Sequence, residues 1–463
     1  MDPKLALYLS FLFILWLFRQ ERKRHPRVSG ALWVPLVWFT IVGSRPLSMW
    51  FGLEGVEDPT EGSPFDRLIF LGLIVAGLVI LARRGVRWTE VRSSNKWLFL
   101  FFLYLGLSVI WSDYPLVSLK RWIKDTGNIV MVLVILGEDE PEEAIKALFE
   151  RCSYALIPLS VVFIKYFPDL GRTYNRWSGE AFAIGVTTDK NTLGMSVLVC
   201  TVGMLWSMME WQKGKAILRE KMQVLAQVMP LMLAVWLLLI AHSATSLSCS
   251  MLGAGLLVSL RVPAIQKRMK HLWLYGAAAA AAVFMLVMLN AGDAMVGAMG
   301  RDLTFTGRVD IWNAVLRESI NPVVGAGYYS FWMGDRVKRV SEGYYYELNE
   351  AHNGYLETYL NSGFIGCFLI LAFLVAAAKD IRKELELGVG YAGVRLTILA
   401  AGAFHNLTES GFNRLNALWF ALLLVAMKYP SRAEEKLPVG ALGEARFGNG
   451  RPDPSPIPDG QRP

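Results

Sequence analysis

Long apolar stretches recur along almost the whole sequence, at about residues 4–18, 31–50, 68–83, 97–112, 123–137, 147–166, 191–209, 223–241, 246–260, 272–290, 355–378, 392–407 and 412–428. A bilayer core of ~30 Å takes about 20 helical residues. These runs are continuous rather than alternating, so they specify helices and not the strands of a barrel. Several are short for a bilayer. The expected architecture is therefore all-α, a polytopic membrane protein of about 12–13 transmembrane helices with one large helical loop between late spans. Of the 463 residues, 54% are hydrophobic and 19% charged, and no soluble fold of this size needs so much apolar sequence.

The net charge of +8 matters less than its placement. Lys and Arg cluster at Arg19–Arg27, Arg83–Lys96, Lys213–Lys221, Arg261–Lys270 and Lys379–Lys383, in alternate loops, while the intervening short loops are sparser. The positive-inside rule makes the first set cytoplasmic. The loop at 167–190 and the large loop at 291–354 then face outward. No basic patch with interleaved aromatics stands on a soluble domain, so nucleic acid is excluded as a partner. The run from Leu5 to Phe18 has the length of a signal peptide. It lacks a small-x-small cleavage site and is followed by RQERKRHPR, which reads as an uncleaved first span. We expect a membrane domain at 1–428 and, over 429–463, a Pro- and Gly-rich disordered cytoplasmic tail. The four cysteines lie far apart within or beside apolar runs, without metal-ligand spacing.

The longest polar interval before that tail runs from Gly307 to Gly366. Ile311, Trp312, Val315 and Leu316 share a helical face. Arg308 falls in the first turn, where free N–H groups and the helix dipole favour an anion. An arginine there suits a phosphate, because its planar fork binds oxygens bidentately. Asn321-Pro322 stops the segment, and Gly325 and Gly327 turn the chain. His352 stands close to the start of the next helix, where the dipole keeps imidazole neutral, as a general base requires. Gly363-x-x-Gly366 has the small-residue spacing that lets membrane helices pack closely.

Other outward cations are Arg45, Lys120 and Arg121, Arg172, Arg176 and Lys190, and Arg414; loop anchoring at the headgroups accounts for most of them. His405, Asn406 and Glu409 lie at the outer end of the penultimate span, where sugar binding and helix capping are equally good readings. Lys190-Asn191 is a candidate cap for the following span. No DxD motif occurs on the outer side, so neither a metal nor any other cofactor is expected.

The loop resembles the O-antigen ligase and polymerase superfamily, through Gly307-Arg308, Ile311-Trp312, Ile320, Pro322, Gly325-x-Gly327, His352-Asn353 and Gly363-x-x-Gly366. SRPLSMW from Ser44, WSDYPLVSLKRW from Trp111, DKNTLG from Asp189 and HNLTES from His405 are similar to its exopolysaccharide-polymerase branch. That branch tends to carry His where this chain has Asp189. The resemblance implies a membrane glycosyltransferase in the bacterial inner membrane with its active face periplasmic. Its donor would be a glycan on undecaprenyl diphosphate and its acceptor a lipid-linked repeat (polymerase) or lipid A-core (ligase). The implied partners are these glycans, membrane lipids and other polysaccharide-assembly proteins. His352 would be the base. Arg308, with Arg172 or Arg176, would hold the diphosphate, and Arg45, Lys190, Asn353, His405 and Glu409 would contact substrate. A flippase of lipid-linked sugars and a non-enzymatic scaffold are the rival classes. The polar residues gather at the outer ends rather than at span centres, which disfavours a flippase.

Overall fold

A computed structural model describes residues 1–53, 62–174, 179–213, 221–262, 265, 308–344, 347–387 and 390–429. The expected span at 272–290, residues 291–307 of the large loop, Arg176 and the tail from 430 lie outside the described residues.

Each of the other apolar stretches falls largely or wholly on helix. In chain order these are α1 (Pro3–Arg24), α2 (Trp33–Val42), α3 (Leu47–Trp50), α4 (Pro64–Arg83), α5 (Trp88–Ser94), α6 (Lys96–Leu107), α7 (Pro115–Leu136), α8 (Pro141–Tyr166), the short α9 (Pro168–Gly171), α10 (Lys190–Lys213), α11 (Lys221–Ile240) and α12 (Ala244–Ser259). After the large loop's α13 (Arg308–Leu316) and α14 (Gly334–Val340) come α15 (Gly354–Glu386), α16 (Tyr391–His405) and α17 (Ala417–Ala426). Two short antiparallel strands, β1 (Arg172–Tyr174) and β2 (Ala181–Ala183), pair in the loop before α10. Five of the described helices are long and apolar enough to cross a bilayer alone, and a sixth span follows if α5 and the helical run Lys96–Trp111, bent by 96°, count as one.

The apolar runs overstate several helices. The stretch at 31–50 is helical only to Val42 and resumes as the separate α3, because Pro46 lies between. The last stretch, 412–428, is helical only over ten residues, a rise of about 15 Å. All ten of those residues are buried, so α17 is a central post around which α7, α10 and α16 pack. Around it, α1 exposes Leu5, Tyr8, Leu12 and Leu15, and α4 exposes Leu68, Leu71 and Val75. That apolar belt suits lipid, not water.

Gly363-x-x-Gly366 departs from the packing reading. Gly363 has φ 61 and ψ −164 inside α15 and breaks it. The amides of Phe364 and Ile365 turn outward to donate to the carbonyls of Pro322 and Val323, while Ala326 and Gly327 donate to Leu360 and Asn361. A Cβ on Gly363 would stand 2.3 Å from Val323 backbone, and one on Gly325 2.5 Å from the Ser362 nitrogen. The 321–327 turn is thus stitched backbone to backbone into the break, which only glycine permits. This stitch fixes the large loop against the end of the bundle.

Candidate functional site

Trp312, on α13, donates its indole N–H to the Ala351 carbonyl at 2.8 Å. The Ala351 amide donates to Glu357 at 3.1 Å, and Trp332 donates to the other oxygen of Glu357 at 2.7 Å. Held on both sides, the chain enters His352 in the left-handed region, φ 49, a conformation a non-glycine residue adopts only when its surroundings impose it. Asn353 then caps α15, accepting from the amides of Tyr355 and Leu356, while its own amide group donates to the Leu407 carbonyl. Gly354 donates to the carbonyls of Asn406 and Glu409. These bonds lock the start of α15 to the end of α16.

That lock brings three separate stretches into one chain of charge. The Arg308 guanidinium pairs with Glu409 at 2.5 Å. The second Glu409 oxygen lies 3.4 Å from His352 Nδ1, and Glu350 lies 3.1 Å from the same nitrogen. Glu350 in turn pairs with Arg414 at 2.7 Å, and Arg414 reaches Glu357 at 3.4 Å. The Glu409 side chain is 5% exposed and that of His352 29%, so the histidine is the member of the central pair open to a ligand.

The electrostatics correct one expectation. Burial works against a proton on His352, but the hydrogen bond to Glu409 and the charges of Glu350 and Glu409 outweigh it, and its pKa is raised from the ordinary 6.5. The ring is therefore not held neutral by the helix dipole. It sits before the capping residue, facing carboxylates at closer range than the helix end. The carboxylates differ from each other. Burial pushes Glu350 up. Burial also opposes the charge on Glu409, yet His352 and Arg308 hold Glu409 below its usual range.

The remaining sequence candidates scatter. Arg45 is buried, and its guanidinium donates to the carbonyls of Leu170, Gly185, Val186 and Thr187. It clamps the segments just before β1 and just after β2 to the end of α2 and is not in the cluster. Arg172 donates to the Ile164 carbonyl. Lys190 sits 4.1 Å from the Phe182 ring centroid and does not cap α10. Asp189 does, accepting from the amides of Asn191 and Thr192, so the residue that replaces the branch's histidine is the cap. His405 is fully buried on α16, with Ser246 Oγ 3.4 Å from its Nε2, and is packed behind the cluster. Glu350, Glu357 and Arg414 join the site although sequence reading gave none of them a lead role. Their signal was proximity to His352 and Glu409 in the chain. The same fold assembles a carboxylate–imidazole group, Glu350, His352 and Glu409, whose ligand atoms lie within 4.8 Å of one another, where sequence spacing showed no carboxylate cluster.

Comparison with known proteins bears on this region. Residues 229–371 match the model of a family described as O-antigen ligase; the match takes in Arg308, Glu350, His352 and Glu357 and stops before Glu409 and Arg414. The chain is also 25% identical over 303 residues to the exopolysaccharide production protein ExoQ of Rhizobium meliloti (strain 1021). The aligned part covers 63% of this chain and 66% of that protein, so the likeness spans just under two thirds of the relative's length.

Proposed function

We propose that this polytopic membrane protein, with its O-antigen ligase-type region, is a glycan transferase of surface polysaccharide biosynthesis that works at the periplasmic face of a bacterial inner membrane. The donor is a glycan on undecaprenyl diphosphate, and the acceptor is a sugar hydroxyl of a second lipid-linked repeat or of lipid A-core. The observation that carries this reading is the ion-paired chain Arg308–Glu409–His352–Glu350–Arg414, built in and beside the family-matched stretch.

In this reading Nδ1 of His352 carries its proton toward Glu409 and Glu350, which leaves Nε2 unprotonated and able to accept one. Nε2 takes the proton of the acceptor hydroxyl as its oxygen attacks the anomeric carbon. The bond from that carbon to the diphosphate breaks with inversion, and the lipid diphosphate leaves as an anion. Arg308 exchanges Glu409 for the diphosphate oxygens, so that a preorganised cation meets the charge that develops. Glu409, released from Arg308, stays on His352 and stabilises the imidazolium. The membrane domain at 1–428 carries the whole site, and the reaction needs no resident cofactor. The likeness to an exopolysaccharide production protein favours the polymerase over the ligase.

The test is turnover by the purified protein with a lipid-linked repeat unit, with and without lipid A-core. Chain growth supports polymerisation and capping of core supports ligation. Neither product, together with movement of the lipid-linked sugar across vesicles, would make the protein a transporter.

A further inference from the structure

Beside the charged chain lies a cleft of about 750 Å³, within the size range of sites that enclose a ligand. Arg414 belongs both to its wall and to the chain through Glu350, so a molecule filling the cleft meets the arginine that ends that chain. One wall is aromatic. Tyr329 is held in the left-handed region at φ 54, with its hydroxyl on the Asn413 carbonyl at 2.8 Å and the Arg121 guanidinium 5.1 Å from its ring. Trp332 is pinned by its bond to Glu357. Two rings fixed in this way present apolar faces and polar edges without further loss of freedom, which suits sugar rings.

The lining is also cationic, with Arg121, Lys124, Lys338 and Arg414. Lys124 on α7 lines the cleft and also lines a second cavity of about 300 Å³. Its Nζ lies 5.6 Å from the centre of the Phe70 ring, and it makes no salt bridge among the described residues. Its neighbour Asp125 is taken by the Tyr328 hydroxyl. Asp125 and Asp66 act on Lys124 only at longer range, and an ammonium with no direct ion-pair partner in a cleft is free to meet a ligand's anion.

We propose that this cleft is the glycan subsite and that Lys124, with Arg121 beside it, recognises a carboxylate on the sugar chain, so that the protein selects an acidic polysaccharide. The proposal rests on the glycan-transfer reading above, naming the substrate class of the same site. It is tested by binding alone, so a failure of turnover leaves its outcome readable.

The probes are a β-1,4-linked tetraglucuronate, the neutral cellotetraose of equal length, and the methyl ester of the first, each titrated calorimetrically into the purified full chain. The expected result is at least tenfold tighter binding of the tetraglucuronate than of either neutral probe, the loss of that preference in Lys124→Met, and its partial retention in Lys124→Arg. Equal affinities for the three probes on the parent protein overturn the proposal without recourse to any variant. The anion could instead be the lipid's diphosphate, because the second cavity joins Lys124 to the apolar Phe70, Leu71 and Ile74. Farnesyl diphosphate is therefore titrated in parallel. If Lys124→Met abolishes its binding and leaves the sugar preference intact, Lys124 serves the lipid and the glycan reading fails.

Discussion

The two ends of the helix bundle use the same side chains for different ends. At the end formed by the last turn of α1 and the first turns of α8, Arg24 pairs with Glu150 and also donates to Tyr154 at 2.6 Å. His25 bridges Glu143 at 2.7 Å and Glu150 at 3.6 Å, and Ser207 and Gln227 add further donors to Glu150. Arg24 and Glu150 side chains are 2% and 1% exposed. At the other end, Arg308, Glu409 and His352 repeat the combination of arginine, glutamate and histidine, but the histidine is 29% exposed, strained at φ 49, and a few residues from an open cleft. Burial without room makes a clasp between helices. The same charges with room and strain make a site, since a ligand can replace one of the partners.

That contrast is broken most directly at the histidine. His352→Gln keeps a hydrogen-bonding side chain but cannot take a proton at working pH, and should lower turnover by about 10²–10⁴-fold, with little change in donor binding or in thermal midpoint. Full turnover with an unaltered pH profile would make His352 a clasp like its counterpart, and the base would then be sought at Glu350, Glu357 or Glu409.

The clasp should respond the other way. Arg24→Ala removes the closest cation from the buried Glu150 carboxylate, leaving His25 as its remaining ionic partner, and should cost up to roughly 3–5 kcal/mol of stability, while turnover per folded molecule stays at the parent value. His25 adds a pH signature. Burial opposes its proton, but Glu143 and Glu150 push its pKa up to about 9. A pKa raised on folding contributes stability that is complete below the unfolded value near 6.5 and fades as pH rises through about 9. The thermal midpoint should fall over that window in the parent and not in His25→Ala. A midpoint that is flat in both would show that the clasp holds no proton.

What could be read from the sequence follows the range of the forces involved. Helices came through because their apolar runs are local and continuous, although Pro46 breaks the 31–50 run where hydropathy alone sees no interruption. Arg308 and His352 were legible as a pair of separated residues, since each sits near a helix start. Their meeting was not legible, because it depends on Glu409 arriving from beyond α16 and on Gly354 bonding back to Asn406. Arg45 misled for the same reason. A cation at the end of a span looks free until the residues flanking β1 and β2 bring four carbonyls over it. Gly363 was noticed for its size, yet its use is its positive φ, which shows only when the 321–327 turn is in place.

A smaller effect sharpens the role of Glu409. With the His352 pKa raised above 6.5, and the base active only when unprotonated, the acid limb of the rate profile should lie above pH 6.5. Glu409→Gln removes a carboxylate that favours the imidazolium. The His352 pKa then drops, and the limb moves to lower pH. A limb that stays in place while the rate falls would mean that Glu409 acts on Arg308 alone.

The smallest expected effect is that of chelation. Glu350, His352 and Glu409 offer ligand atoms within 4.8 Å of one another, and a divalent cation draws carboxylate oxygens to about 2.0–2.6 Å. Both carboxylates already hold a guanidinium, Arg308 on Glu409 and Arg414 on Glu350. Two negative charges against two positive ones, with a histidine inclined to add a third, leave no surplus to hold a doubly charged ion. A metal would have to displace both arginines and hold the imidazole unprotonated against the field of its neighbours. Excess EDTA should therefore leave turnover unchanged in the parent protein. Loss of activity restored by Mg²⁺ or Mn²⁺ would turn the cluster into a metal site. Arg308 would then be a gate to that site rather than the group that receives the diphosphate.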